Sequence, residues 1–567
     1  MIKTIKSLID KKYDFFYKLI FYIIFYYSCV TLYLTFDIAQ SPDFEKYYKY
    51  FEYYSGKIDK TGLEQGNLYF FFHYIFAVAV SSSTNLLTIN EIVNISVHLV
   101  NSIIFLFGIK GFIKILKFKK YKSSYIYLSM IVVCFLPPAI QLRLTLKPEI
   151  IAFSLFGWIL FHMSKYLSTN NKIDILLFFL ALSVLFTSKI SISFILFVIL
   201  VLEFYTNHKK IFNRKNLKYI LPFLILSCTL IIENRHHNGL FLNEVKHPEN
   251  YNNKADLNFF SNINRKDLIN NPNRYFHNES FISITLFDTF NDFFLIYWNS
   301  EYTELNKNRD KEFFKINKIP NNKGFLKVKF DSLEKSFTFS GDFDARWDDP
   351  NYINETRMRF SFIFSIFFYL LSLVLSFIRK NRIILISQFI GMLIIALSAL
   401  GVFGTNNFDP KVGDSVKIYY ISFLISLSFI FLIVELFRIF NFGYKTASIV
   451  FISLFMFFIG FPFSYAEDTR NDILYKNSLL TTCAINEPLI QNILGIDEEV
   501  DCKKNFNDDE IFIPITKMRS IEFNINISKI PIVSFLVFIT YLSLLNNFIS
   551  PYITNYFEKF KRKRKNG

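Results

Sequence analysis

Charge is scarce in this chain: of 567 residues, Asp, Glu, Lys and Arg make up 19%, against 52% hydrophobic residues. So little polar surface argues against a water-soluble fold of this length. Cysteine is scarce too, five residues with no CxxC pair and no Cys/His metal-ligand spacing, so zinc-type sites find no support. There is no internal repeat. Acids are outnumbered, 47 against 63 Lys and Arg.

What the chain has in abundance is aromatic and aliphatic surface. Phe, Tyr and Trp number 72, 33 and 3, mean hydropathy is +0.29, and long uncharged runs recur from Leu19 to Ser550. The solvent implied is lipid. A net charge of +16 would suggest nucleic acid in a soluble protein; here it directs attention to which loops hold the cations, and no nucleic-acid partner is expected.

Crossing about 30 Å of hydrocarbon takes roughly 20 helical residues. Leu19–Phe36 is the first such run, preceded by Lys3, Lys6, Lys11, Lys12 and Lys18 and followed by Asp37. The positive-inside rule places the N-terminal tail, residues 1–18, in the cytosol. The next basic cluster, Lys110 to Lys122, is cytosolic by the same rule, so one crossing returns the chain. Ile92–Ile109 takes that role, and Leu68–Val80 is left on the outer surface or dipping partly into the membrane, within a long first external loop, 37–91. Around Lys189, two short helices turning at Thr187-Ser188-Lys189 fit the basic flanks on both sides better than one long span.

Further spans are Tyr125–Ile140, Ile150–Met163, Tyr219–Ile232, Phe360–Ile378, Ile383–Gly401, Ile418–Phe437, Ala447–Tyr465 and Ile530–Ile549. The expected architecture is an all-α polytopic membrane protein of about 12 transmembrane helices. Residues 19–233 form a catalytic-type membrane core and 358–465 the C-terminal helices. Residues 529–567 form a last helix and a basic cytosolic tail. Two polar insertions, 234–357 and 466–528, are external, and the second carries 12 acids against 6 Lys and Arg. Cys483 and Cys502 are the only cysteines outside the apolar runs. A disulfide between them is expected in an oxidising compartment, with two free thiols as the alternative.

Ionisable groups at membrane boundaries are costly and so are candidate functional groups. In the first external loop these are Asp43 and Glu45, just after Pro42, and Glu64; helix capping explains the first pair equally well. At the outer end of the third span, Pro137 and Pro138 end one helix and Pro148 starts the next, so Arg143 and Lys147 project from a tight external turn with Glu149 just after it. Arg and Lys there suit a phosphate, and snorkelling to headgroups is the plain alternative. Lys189 sits at its own external turn. Asp288 and Asp292 share the face of an aromatic helix that reads as interfacial. Asp342, Asp344, Asp348 and Asp349 fit a solvated turn better than a metal site, and His73 and His98 fit packing.

In order and in sidedness these elements resemble the C-type superfamily of integral-membrane glycosyltransferases, the relatives of protein O-mannosyltransferase and bacterial aminoarabinose transferase. The likeness covers residues 1 to about 220. Asp43-Phe-Glu45-Lys-Tyr47 is similar to the family's acidic pair followed by Tyr, Arg143 to Glu149 to its Arg-rich turn after the third span, and Thr187-Ser188-Lys189 to its Thr-Lys turn. Phe44 splits the acidic pair, and the family's double Pro near residue 66 is absent.

The resemblance implies a lipid-linked donor, a sugar on polyprenyl phosphate. It implies transfer to a carbohydrate, lipid or protein acceptor on the external face; the membrane expected is a bacterial inner membrane, and the Lys and Arg clusters place both termini in the cytosol. Asp43 would then be the general base, with Glu45 and Glu64 as the other carboxylates, and Arg143, Lys147, Glu149 and Lys189 would form the substrate site. The cofactor is open, a divalent metal included. The alternatives are an outer-leaflet oligosaccharide polymerase or ligase, and a multi-span transporter or flippase; paired halves and broken helices, which carriers usually show, are not visible in the sequence.

Overall fold

The computed structural model describes residues 15, 17–30, 44–63, 66–83, 89–187, 189–211, 216–239, 254–262, 280–290, 325–331, 336–342, 355–402, 418–440, 510–514, 523 and 525–546. The apolar runs are helices: α1 (Tyr17–Val30), α2 (Phe44–Tyr54), α3 (Asn67–Ser83), α4 (Ile89–Phe118), α5 (Ser123–Cys134), α6 (Pro137–Leu144), α7 (Glu149–Thr169) and α8 (Lys172–Leu185). There follow α9 (Ile190–Phe204), α10 (Leu217–Asn238), α11 (Phe281–Asp288), α12 (Glu355–Ile378), α13 (Ser387–Ala399), α14 (Ser422–Ile439) and α15 (Ile532–Leu545). In the polar insertions, β1 (Phe325–Asp331) pairs antiparallel with β2 (Ser336–Asp342) and with β3 (Glu510–Pro514).

Among the described residues, six helical stretches are long and apolar enough to cross a membrane, or seven if the bent pair α5 and α6 is one span. The protein is thus an integral membrane protein with a helical membrane part, and the expectation of about twelve crossings is supported for six or seven. α1, α13 and α15 are apolar but short, as is α8 at 14 residues; a 14-residue helix rises only about 21 Å. The run Ala447–Tyr465 and the tail 559–567 lie outside the described residues, as do Cys483 and Cys502; the described cysteines, Cys29, Cys134 and Cys228, are free thiols.

Local chemistry sets the breaks. Pro137 and Pro138 open α6, bent 62° from α5. Neither proline has an N–H, so the last carbonyls of α5 lose their helical partners. α7 ends at Asn170 in the left-handed region, φ 53°. Asn171 then caps α8, its side chain accepting from Ile173 N at 3.1 Å. α4 and α7 cross closely because small residues face each other: a Cβ on Gly157 would come within 2.6 Å of Phe112 N.

The helix ends gather in two groups. At one end, the Lys119 ammonium donates to Asn381 Oδ1 and the Tyr121 hydroxyl to Glu435 Oε1. Arg379 Nε stands 3.5 Å from Glu435 Oε2, and Lys165 pairs with Asp174 at 3.1 Å. At the other end, Asn67 bonds Asn234, Thr61 bonds Asn238, and Lys529 reaches Asp59. There the Glu233 carboxylate accepts from Val533 N, Ser534 N and Ser534 Oγ, capping α15.

Protein covers much of α3. Its buried residues include Tyr69, Phe70, Phe71 and His73, and the Phe70 ring stacks on Tyr50 of α2 with centroids 3.9 Å apart. The aromatic side chains of α2 supply the cover that lipid or water would otherwise have to provide.

Candidate functional site

Three short connections converge: Thr145–Pro148 between α6 and α7, Phe186–Lys189 between α8 and α9, and the 3-10 turn Ile418–Ile421 leading into α14. Glu149 is the first residue of α7, where a carboxylate complements the helix dipole. It is fully buried, and among the described residues neither carboxylate oxygen has a hydrogen-bond partner. Its charge partner is Lys189, the residue that caps α9, with Nζ 3.8 Å from Glu149 Oε1. The Lys189 side chain keeps 22% of its surface, so the pair has one buried and one accessible member.

Tyr420 closes the arrangement from the C-terminal half. Lys189 Nζ lies 4.6 Å and Lys147 Nζ 5.9 Å from its ring centroid, and Lys147 itself is 1% exposed. Two ammonium groups thus lie over one aromatic ring beside a single buried carboxylate, and two cations to one acid are chemistry that can bind an anion. Tyr420 was not legible as a site residue, because nothing in its neighbourhood differs from other aromatic helix starts.

Arg143 faces elsewhere. Nη1 donates to Ser28 Oγ of α1 at 2.6 Å, Nη2 donates to the Cys134 carbonyl, and the guanidinium lies 5.1 Å from the Phe105 ring centroid. The reason is the break before α6. In an unbroken helix the Cys134 carbonyl would accept from the N–H of residue 138, which is proline, and Arg143 fills the vacancy.

The turn carrying Lys147 and Glu149 is held from behind. Asn101 of α4 donates to the carbonyls of Arg143 at 3.0 Å and Thr145 at 2.9 Å, and Tyr69 donates to Asn101 Oδ1 at 2.9 Å. His73 Nδ1 meets Tyr69 O at 2.8 Å and Nε2 meets Asn101 Oδ1 at 3.1 Å, so His73 is a packed, bonded residue. His98 is buried as well.

Of the first-loop carboxylates, Asp43 and Glu64 lie outside the described residues, and Glu45 belongs to the first turn of α2. The other end of α2 is anchored where the Tyr53 hydroxyl and His237 Nδ1 share a hydrogen bond of 2.5 Å. Burial, with Asp59 nearby, pushes the Tyr53 phenol up to about 12, so it stays protonated at neutral pH. Asp288 is buried at the end of α11, while Asp292, Asp344, Asp348 and Asp349 lie outside the described residues. Among the described residues, no three His, Cys, Asp or Glu side chains gather as metal ligands.

Compared with family models, curated proteins and solved structures, the chain matches none.

Proposed function

We propose that this protein is a membrane glycosyltransferase that moves a sugar from a polyprenyl-phosphate donor to an acceptor on the external face. Its main support is the gathering of Lys147, Lys189 and Glu149 around Tyr420. The acceptor hydroxyl attacks the anomeric carbon, the bond from that carbon to the phosphate oxygen breaks, and the acceptor proton passes to a carboxylate, Asp43 by preference. Polyprenyl phosphate leaves with the electron pair. Lys147 and Lys189 stabilise the charge that grows on the phosphate, where fixed cations act most strongly. The Tyr420 ring forms one wall. The sidedness follows from the Lys and Arg clusters, with Lys110–Lys122 cytosolic and the site at the opposite, external end.

The experiment is transfer by the purified protein in lipid nanodiscs. Sugar release or transfer from a polyprenyl-phosphate sugar, with none from a nucleotide sugar, is expected. Use of the nucleotide sugar alone would overturn the donor class.

One observation favours a second reading, a carrier for an anionic lipid: the span broken between α5 and α6, with Arg143 buried beside the break. Broken helices in the membrane commonly line transport sites. Movement of a polyprenyl phosphate across the bilayer without any sugar transfer would favour it.

A further inference from the structure

Asn101 stands at the centre of α4, fully buried, where an apolar residue would fill the same space without any polar group to satisfy. Both hydrogens of its amide are used, on the Arg143 and Thr145 carbonyls, and its oxygen accepts from Tyr69 and faces His73 Nε2. The orientation of the amide follows from these partners, since the nitrogen faces two carbonyls.

The two carbonyls lie where α6 ends. Thr145 is the C-cap, its N–H donating to Gln141 O. The carbonyls of a last helical turn have no partner in their own helix. Asn101 supplies that partner for Arg143 and Thr145, and Tyr69 O–H adds a longer contact to Thr145 O at 3.4 Å. Lys147 N then donates back to Thr145 O at 2.9 Å. The direction in which Lys147 leaves the turn therefore depends on where Asn101 holds Thr145. On its other side, Asn101 is bonded to α3, the helix that begins just after Glu64.

We infer that Asn101 is a positioning residue for the anion site, setting Lys147 relative to the first-loop helix through the Thr145 carbonyl and the Tyr69 hydroxyl. This rests on the proposal that Lys147 binds the donor phosphate. Asn101 itself touches no substrate. A purely structural role would lower stability without regard to Lys147, whereas a positioning role acts through Lys147 and vanishes when Lys147 is gone.

The test is a double-mutant cycle on the full chain in nanodiscs, read as binding of a fluorescently labelled polyprenyl monophosphate. Lys147→Ala is expected to weaken binding about tenfold, Asn101→Leu by a similar factor, and the double variant no more than Lys147→Ala alone. Losses that multiply, to about a hundredfold in the double variant, overturn the inference, as does unimpaired binding by Asn101→Leu beside an impaired Lys147→Ala. Full binding by Lys147→Ala would overturn the assignment of the site, and this inference with it. Should Asn101→Leu fail to fold, Tyr69→Phe removes a single hydroxyl from the same network. Its cycle with Lys147→Ala is judged in the same way, with an expected single loss of about threefold.

Discussion

Lys189 Nζ stands 3.8 Å from Glu149 Oε1 across the junction of two helix pairs, and that carboxylate is wholly buried with no hydrogen-bond donor among the described residues on either oxygen. Removing the lysine leaves a buried charge without its ion-pair partner, a loss of about 3 kcal/mol or more. Lys189→Met should therefore lower the apparent Tm in detergent clearly, and Lys189→Met with Glu149→Leu should recover most of it. A double variant as unstable as the single one would show that the pair is not the source of the loss.

The cations of this end should divide by role. A lost charge-assisted contact to phosphate is worth about 1.5–3 kcal/mol, so Lys147→Ala and Lys189→Ala should reduce donor use roughly tenfold to a hundredfold. Arg143→Ala should act mainly on stability, because its guanidinium bonds Ser28 and the Cys134 carbonyl. Donor KM and thermal unfolding, measured on the same three preparations, separate the two effects. A KM raised by Arg143→Ala as much as by Lys147→Ala, at unchanged stability, would return Arg143 to the donor site.

Asp43→Asn should abolish transfer while leaving the protein inserted and able to bind the lipid donor, since the amide keeps the shape and loses the basicity. If Asp43 only caps α2, the variant loses about 1 kcal/mol of stability and stays active. Glu45→Gln and Glu64→Gln are the comparison; inactivity in one of them beside an active Asp43→Asn would move the base there.

At the α4–α7 crossing, Gly157→Ala brings a Cβ to 2.6 Å from a backbone nitrogen, which no side-chain rotation relieves. Overpacking of this kind costs about 1–3 kcal/mol. A lower Tm is expected for Gly157→Ala, and Gly157→Ala as stable as the parent would mean that the helices separate freely.

Reporter fusions should place residues 110–122 and 559–567 in the cytosol and 234–357 and 466–528 outside. Within the external segment, non-reducing mass spectrometry should find Cys483 linked to Cys502. Cytosolic reporter activity from 234–357 would remove the external site altogether.

Much of the helical plan was legible because burying backbone in lipid leaves few options. Pro137 and Pro138 marked the end of one helix and Pro148 the start of another, and helices α8 and α9 flank the turn read at Thr187-Ser188-Lys189. Span length was less legible. Lys172–Leu185, apolar after Asp174, and Ile532–Leu545, uncharged throughout, are both short, and hydropathy does not say whether so short a helix crosses the membrane. The surroundings of α3 were not legible for a related reason: its 17 residues are apolar enough for a surface or partly inserted helix, and only packing shows that the rings of α2 cover part of it.

By itself the sequence determined that this is a helical membrane protein, because charge and hydrocarbon exclude each other strongly enough to be read one residue at a time. It also pointed to Lys147, Glu149 and Lys189, since ionisable groups at helix ends are rare enough to be noticed singly. Only the tertiary structure decided how these groups divide. Arg143 was separated from them by a carbonyl that proline leaves without a donor, and Tyr420 and Asn101 were added from distant segments. Such pairings depend on which helices lie side by side, and that is settled by packing across the whole bundle, where no local pattern records it.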